Sequence, residues 1–472
     1  MTLTISFDNS YARLPNAFYT LQAPQPVRAP HLIAFNNDLA KLMGITPGEV
    51  AELAQVFSGN EIPDGATPLA QLYSGHQFGH YNPQLGDGRA VLLGETEGAD
   101  GQRRDIQLKG SGRTPYSRGG DGRAWLGPVL RDYMVSEAMH ALGVPTTRAL
   151  AAVETGEQVF RETALPGAVL TRVASSHLRV GTFQVFAARS DVASLKRLTQ
   201  YAIERHYPQA EGPMGLLRAV SRAQVRLIAQ WMAVGFIHGV MNTDNCSIAG
   251  ETIDYGPCAF MDTYHPNTVF SSIDQMGRYA YANQGDISVW NMAQFATALI
   301  QQMDSRDAAV EEATEIVHAM PALLQDEWLS RFRAKIGLTR EDEGDQALIA
   351  DLLTRMAEGR ADFTNTFRAI GTDAARDQFL EPEAFDQWQV DWQARTEREA
   401  DVQAVLQAAN PAFIPRNHRI EQMIRSAVDG DYGPFHRLNT VLATPFDDQP
   451  DNADLNRPPT DGEVVHATFC GT

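Results

Sequence analysis

Residues 238–256 read HGVMNTDNCSIAGETIDYG, the densest run of chemically capable side chains in the sequence. The run constrains the fold because it starts where a buried helix ends. From 222 to 237, Val225, Ile228, Trp231, Met232, Gly235 and Phe236 recur at offsets of three and four, the spacing of a helix face packed into a core. Asp244 and Asn245 then fall in a loop. Ser247-Ile248 and Thr252-Ile253 read as two short strands joined at Gly250-Glu251, a hairpin that would return Asp254 to the side of Asn245. Oxygens of Asn245 and Asp254 so placed form a hard site suited to Mg2+ or Mn2+, with phosphates and waters completing the shell. Asp244 is placed to orient or deprotonate an attacking hydroxyl. Taken singly, each of these residues is also an ordinary turn or capping residue.

Charge is unevenly spread. The 472 residues carry 39 Lys+Arg against 58 Asp+Glu, a net charge of -19, so phosphate backbones repel the chain and it is not a general nucleic-acid binder. Between 103 and 189, however, twelve basic residues face seven acidic ones, a window of +5 in a chain otherwise at -24. Its first part reads RRDIQLKGSGRTPYSRGGDGRAWLGPVLR, with six glycines interleaved among Arg113, Arg118 and Arg123. Glycine lets backbone N–H groups converge on one anion. Arginine adds planar forks that match phosphate oxygens. The run reads as a polyphosphate cradle; the alternative is a solvated loop that happens to be basic.

Three cysteines, Cys246, Cys258 and Cys470, cannot build a disulfide framework or a Cys-rich zinc site. Residues 1–16 lack a secretory pattern, and no stretch approaches the roughly 20 apolar residues that cross a bilayer. The expectation is a cytoplasmic protein with no membrane partner. Residues 1–65 read as an irregular N-terminal extension with short helices at 34–42 and 48–57. Residues 66–190 read as a small mixed lobe: a turn at 85–89 entering a strand at 90–95, a strand at 105–109 ending on Lys109, a helix at 128–142, and strand-like runs over 149–172. Residues 191–472 read as a mainly helical lobe, with helices at 311–336, 345–358 and 402–406, and a polar surface tail at 445–459. The fold class expected is α+β.

A lysine strand, an acidic residue on the next helix, a polar loop and an Asp-Tyr-Gly follow in the order used by protein kinases and their relatives. One position departs: the catalytic aspartate two residues after the loop histidine is replaced by Val240. Beyond that template, SGHQFGHYNPQLGDGRA (74–90), IQLKGSGRTPYSRGGDGRA (106–124), SEAMHALGVPTTRAL (136–150), the pair Arg172 and Arg179, and HGVMNTDN with IDYGPCAFMD (238–262) resemble the selenoprotein O/YdiU family. The likeness runs through at least residue 290, and Cys470 fits it too.

The resemblance implies a bilobal protein-kinase-like fold with a small mixed α/β N-lobe and a large mainly helical C-lobe. It implies transfer of AMP from ATP to Ser, Thr or Tyr hydroxyls of proteins, with release of pyrophosphate. UMP transfer from UTP with Mn2+ is also associated with the family. The competing readings are a catalytically silent nucleotide-binding scaffold and a kinase-like phosphotransferase. Carried over, the nucleotide site falls on Gly86, Gly88, Arg89, Lys109, Asp121, Gly122, Arg172 and Arg179, with Asp254. The base falls on Asp244, and the metal ligands on Asn245 and Asp254. The lysine's acidic partner falls on Asp132, where the family usually has glutamate; aspartate is one methylene shorter, so a longer or water-bridged pair is expected. Glu137, roughly 140° away around the helix, is the weaker candidate. The family seats the γ-phosphate deep in the pocket, which suits a cradle this rich in arginine. Cys470 matches the family's redox-active position, but residues 263–281 hold no cysteine, leaving Cys258 as the nearby partner. The protein is expected to be a monomer. His76 and His80, His238 and the second Asp-Tyr-Gly (431–433) are read as structural, His238 orienting its loop; Cys246 and Cys258 are read as core residues.

Overall fold

The computed structural model of the protein describes residues 2–469. Cys470 lies outside the described residues. The first part of the chain carries β1 (Tyr19–Leu21), β2 (His31–Phe35), α1 (Asn37–Leu42), α2 (Val50–Ser58), β3 (Leu69–Gln71), β4 (Gly75–Gln77), β5 (His80–Asn82), β6 (Ala90–Glu97), β7 (Arg103–Lys109), β8 (Ala124–Trp125), α3 (Leu126–Ala141), β9 (Arg148–Phe160) and β10 (Ala164–Ala174). The main sheet is antiparallel in the order β1-β3-β6-β7-β10-β9-β2, with β8 pairing on β10, and β4 and β5 form a separate hairpin. The N-terminal residues are therefore less irregular than expected, because β1 and β2 are the two edges of that sheet. The first helix begins at Asn37, not 34: Asn36 accepts from Leu39 N–H at 3.0 Å and caps it, while the preceding residues pair with β9.

Both faces of the sheet are covered, as the alternation of side chains requires. Ile106 and Leu108 of β7, with Val169 and Val173 of β10, enter a core shared with Leu39, Leu53 and Phe57 of α1 and α2. Ala168 and Leu170 of β10 face the other way, into a core with α3. On that second face the register sets Arg172 opposite Gln107 and Leu170 opposite Lys109. The polar residues of β7 and β10 thus emerge together on the side away from α1 and α2.

From there the chain is mostly helical: α4 (Val180–Ala188), α5 (Val192–His206), α6 (Gly212–Ala233), the short strands β11 (Phe236–Ile237) and β12 (Ala259–Phe260), α7 (Gln284–Ile300), α8 (Arg306–Lys335), α9 (Asp345–Glu358), α10 (Phe363–Ala369), α11 (Pro382–Thr396), α12 (Val402–Ala409), α13 (Asn417–Val428), α14 (Gly433–Leu442) and α15 (Ala453–Asn456). The expected face of α6 holds at Val225, Ile228 and Trp231, all buried. Gly235 and Phe236 lie beyond its end: Gly235 takes φ 68°, which stops the helix and turns the chain into β11. Residues 445–459 are not a free tail. The Pro445 carbonyl accepts from Ala412 and Phe413 N–H, and Leu455 on α15 is buried. No helix among the described residues is long and apolar enough to cross a membrane.

Candidate functional site

Four charged side chains from distant parts of the chain meet where β7, α3 and β10 face the 238–256 loop. Lys109 Nζ lies 2.5 Å from Asp132 on α3 and 2.8 Å from Asp254 Oδ1. Arg172 on β10 donates to the same Asp254 oxygen at 2.7 Å and to Gln107 Oε1 at 2.6 Å. The expected longer Lys109–Asp132 pair is corrected here. α3 lies close enough to β7 for the shorter side chain to reach directly, and Glu137 instead binds Arg148 at 2.7 Å. Arg179, at the start of α4, places a guanidinium nitrogen 3.6 Å from Asp254 Oδ2 and another 3.6 Å from Asp87 Oδ1, with its plane 4.3 Å over the Tyr73 ring. Burial alone would raise the Asp254 carboxyl, but Lys109, Arg172 and Arg179 overcome it and hold the group well below the usual range. Its backbone sits at φ 65°, uncommon for a residue other than glycine.

The two glycine-containing loops lie against one another. Residues 85–89 are pinned by Asp87, whose carboxylate accepts from Gln71 N–H and from the Gln107 amide, each at 3.1 Å. Thr114 and Ser117 of the second loop donate to the Asp87 and Gly88 carbonyls. That second loop is closed rather than loose: Gly112 N–H donates to the Gly122 carbonyl at 3.0 Å, and Ser111 bridges Arg123. Gly122 has φ 70°, and a Cβ there would lie 2.1 Å from the Gly112 carbonyl oxygen. Gly86 and Gly88 pack on Tyr116. Arg89 is half-buried and Arg113 and Arg118 are exposed, and none of the three pairs with an acidic side chain among the described residues. Asp121, by contrast, pairs with Arg161 at 2.8 Å and accepts from Arg123 N–H.

The 247–253 segment differs from the expected hairpin. Its two halves pair with different neighbours: Ser247 bridges Arg179, and Thr252 runs parallel to Thr146. Val180 N–H bonds the Cys246 carbonyl, and Thr147 N–H bonds the Thr252 carbonyl. The loops on either side of β9 and β10 supply the backbone partners that the segment does not supply to itself. His238 ties the loop's ends together, donating Nε2–H to the Ile253 carbonyl at 2.9 Å while Nδ1 accepts from Val240 N–H.

Asp244 is buried at 7% exposure. Oδ2 accepts from the Gln77 amide at 3.0 Å, and Oδ1 has no hydrogen-bond partner among the described residues. Burial, opposed by the Gln77 bond and by Arg179, raises its pKa to about 6. Asn245 donates Nδ2 to the Val240 carbonyl at 3.0 Å, which leaves its oxygen as the free end of the amide. No group of three or more His, Cys, Asp or Glu able to hold a metal occurs among the described residues. A carboxylate and an amide oxygen nevertheless fit a hard divalent cation that takes its other ligands from phosphates and water.

Sequence reasoning missed Asp87, Gln107, Gln77 and Tyr73. Asp87 stood inside the LGDGR turn already singled out, but nothing in one sequence says that it meets Arg179. His76 and His80 lie on the β4–β5 hairpin, with no metal set. In the second Asp-Tyr-Gly, Asp431 accepts from Gly433 N–H, a turn as expected. Cys246 and Cys258 are buried.

Residues 1–443 match the family model described as "Protein adenylyltransferase SelO". Curated relatives include the "Protein nucleotidyltransferase YdiU" of Ruegeria pomeroyi, 75% identical over 472 residues and covering all of both chains. The protein of that name from Roseobacter denitrificans is 65% identical, and that from Bradyrhizobium diazoefficiens 54%, again over the full length of both chains.

Proposed function

This chain belongs to the SelO protein adenylyltransferase family, and from that membership we propose that it transfers AMP from ATP to Ser, Thr or Tyr hydroxyls of proteins, releasing pyrophosphate. Nucleotidyl transfer onto proteins is the activity of the family; the choice of ATP over UTP, and the acceptor residues, are our reading. The sheet with α1–α3 and the helical remainder are read as the two lobes of a kinase-like fold, divided near residue 190 with residues 1–65 as an extension. The protein is read as a cytoplasmic monomer.

The observation that carries the mechanism is the contrast between two buried aspartates. Asp254 is held fully ionised by Lys109, Arg172 and Arg179, while Asp244 has no full positive partner in contact among the described residues and a pKa of about 6. A pair of carboxylates driven apart in this way supports one electrostatic anchor and one base. Asp244 accepts the proton of the acceptor hydroxyl as its oxygen attacks the α-phosphorus. The bond from the α-phosphorus to its bridging oxygen breaks, and pyrophosphate leaves. Arg89, Arg113 and Arg118, free of acidic partners among the described residues, supply counter-charge to the leaving group. Asn245 and Asp254 would hold Mg2+ or Mn2+, which when bound neutralises phosphate charge. Asp121, paired with Arg161, holds the second loop in place, and Gly86, Gly88 and Gly122 let the two loops close around the phosphates.

Incubation with metal and ATP labelled at either the α- or the γ-phosphate tests the reading. Protein labelled from the α position alone is expected. Label from γ alone would make the protein a kinase-like phosphotransferase, and no label from either a nucleotide-binding scaffold.

A further inference from the structure

The β4–β5 hairpin lies in the SGHQFGHYN motif. Three successive hairpin residues meet three successive loop residues. His76 N–H donates to Thr243 Oγ1 at 2.7 Å, Gln77 Nε2 to Asp244 Oδ2 at 3.0 Å, and Phe78 N–H to Asn242 Oδ1 at 3.1 Å. The docking is braced from α4 by Gln184, which donates to His76 Nδ1 at 3.0 Å and accepts from Thr243 Oγ1 at 2.7 Å. Phe78 adopts φ 51°, uncommon for a bulky residue, and its ring lies 5.1 Å from that of Tyr279, whose hydroxyl also reaches Asn242. Gly75 presses against the carboxylate: a Cβ there would sit 2.5 Å from Asp244 Oδ1. Gln77 is the one side chain among the described residues that donates to Asp244.

We propose that Gln77 is a positioning residue of the transfer reaction, with the β4–β5 hairpin as the element that fixes the Asp244 carboxylate for the acceptor hydroxyl. A carboxylate with one unpartnered oxygen and one donor is free to rotate about its Cβ–Cγ bond unless that donor holds it. Gln77 fixes its plane from one side, and Gly75, lacking a Cβ, leaves the carboxylate the room it occupies. The hydroxyl then meets a base whose direction is set before it arrives, which is worth about tenfold to hundredfold in rate when the alternative is a misplaced carboxylate. This inference rests on Asp244 acting as the base.

The test compares Gln77→Met, which keeps the length and packing but removes the donor, and Gln77→Glu, which is isosteric and sets a carboxylate against Asp244. Transfer from α-labelled ATP, affinity for the α,β-methylene analogue of ATP, and the melting temperature are measured for both. The expected result is a kcat lowered about tenfold to hundredfold in Gln77→Met and further in Gln77→Glu, with analogue affinity and melting temperature unchanged. Wild-type kcat in Gln77→Met, or a loss of kcat that comes with lost analogue affinity and a lowered melting temperature, overturns the proposal. Asp244→Asn run alongside separates the two ideas. If it transfers normally, the base assignment fails; if it is inactive while Gln77→Met is unimpaired, only the role of Gln77 fails.

Discussion

Asp244 and Asp254 are ten positions apart in the sequence, and the fold gives them opposite acid–base character. Asp244 rises from 3.8 to about 6 because burial outweighs the Gln77 bond and the attraction of Arg179. On the proposed role of Asp244 as base, activity is expected to fall as pH drops through about 6 and the carboxylate becomes protonated, and a pH profile of kcat/KM for AMP transfer checks this. The same shift acts on stability. Between about 4 and 6 the folded state holds a proton that the unfolded chain has lost, so this residue's contribution declines as pH rises and levels off above 6. Asp244→Asn, which mimics the neutral form, is therefore expected to abolish transfer yet stabilise the fold by about 1–3 kcal/mol at pH 8, measured by urea unfolding. At Asp132 the direct 2.5 Å pair means that lengthening the side chain does not improve it. Asp132→Glu is expected to lower kcat/KM severalfold, because Lys109 must shift away from Asp254 to make room; an equal or higher kcat/KM would refute this.

At the scale of elements, the site is a product of strand register. Gln107 and Lys109 share one face of β7, Leu170 and Arg172 share one face of β10, and the pairing sets them opposite. The alternation of Ile106 and Leu108 with polar neighbours was legible in the sequence, and so was the strand that ends on Lys109. The pairing of residues 247–253 was not, because Ser-Ile and Thr-Ile pairs around a glycine suggest a hairpin whether they bond to each other or to neighbouring loops. Here the loops at 145–147 and 178–180 offered better partners. The 110–124 loop, proposed to hold the phosphates, depends on the close approach of Gly112 and Gly122. Gly122→Ala, strained at φ 70° and with no room for Cβ, is expected to open the 110–124 loop and raise the KM for ATP at least tenfold, with a smaller effect on melting temperature. Steady-state kinetics with ATP varied, alongside a thermal melt, checks both.

Across the whole molecule, the end of the described chain returns to the segment that follows Asp254. Thr468 N–H donates to the Phe270 carbonyl at 2.7 Å, Ser272 N–H to the Thr468 carbonyl at 3.0 Å, and Thr468 Oγ1 to the Pro257 carbonyl at 2.5 Å. This strap spans 211 positions of sequence and holds a loop on which Ile273 and Met276 are exposed. Thr468→Pro, which removes the N–H, is expected to release it, so that trypsin cleaves after Arg278 several times faster while the melting temperature changes little; limited proteolysis followed by mass spectrometry reads the site.

The sequence by itself determined where the positive charge gathers and the order of strand, helix and loop, and its resemblance to a family named the candidate site residues. The charge and the element order are properties of local composition and periodicity, and they survive in a single chain. Only the tertiary structure decided which charges meet. Lys109 reaches Asp132 directly, Asp121 turns to Arg161, and Asp87 joins Arg179, because separations of a few ångströms are set by how α3, β7 and β10 pack. The ionisation of Asp244 was likewise hidden, since it comes from burial beneath Gly75 and Gln77, 169 and 167 positions away in the chain.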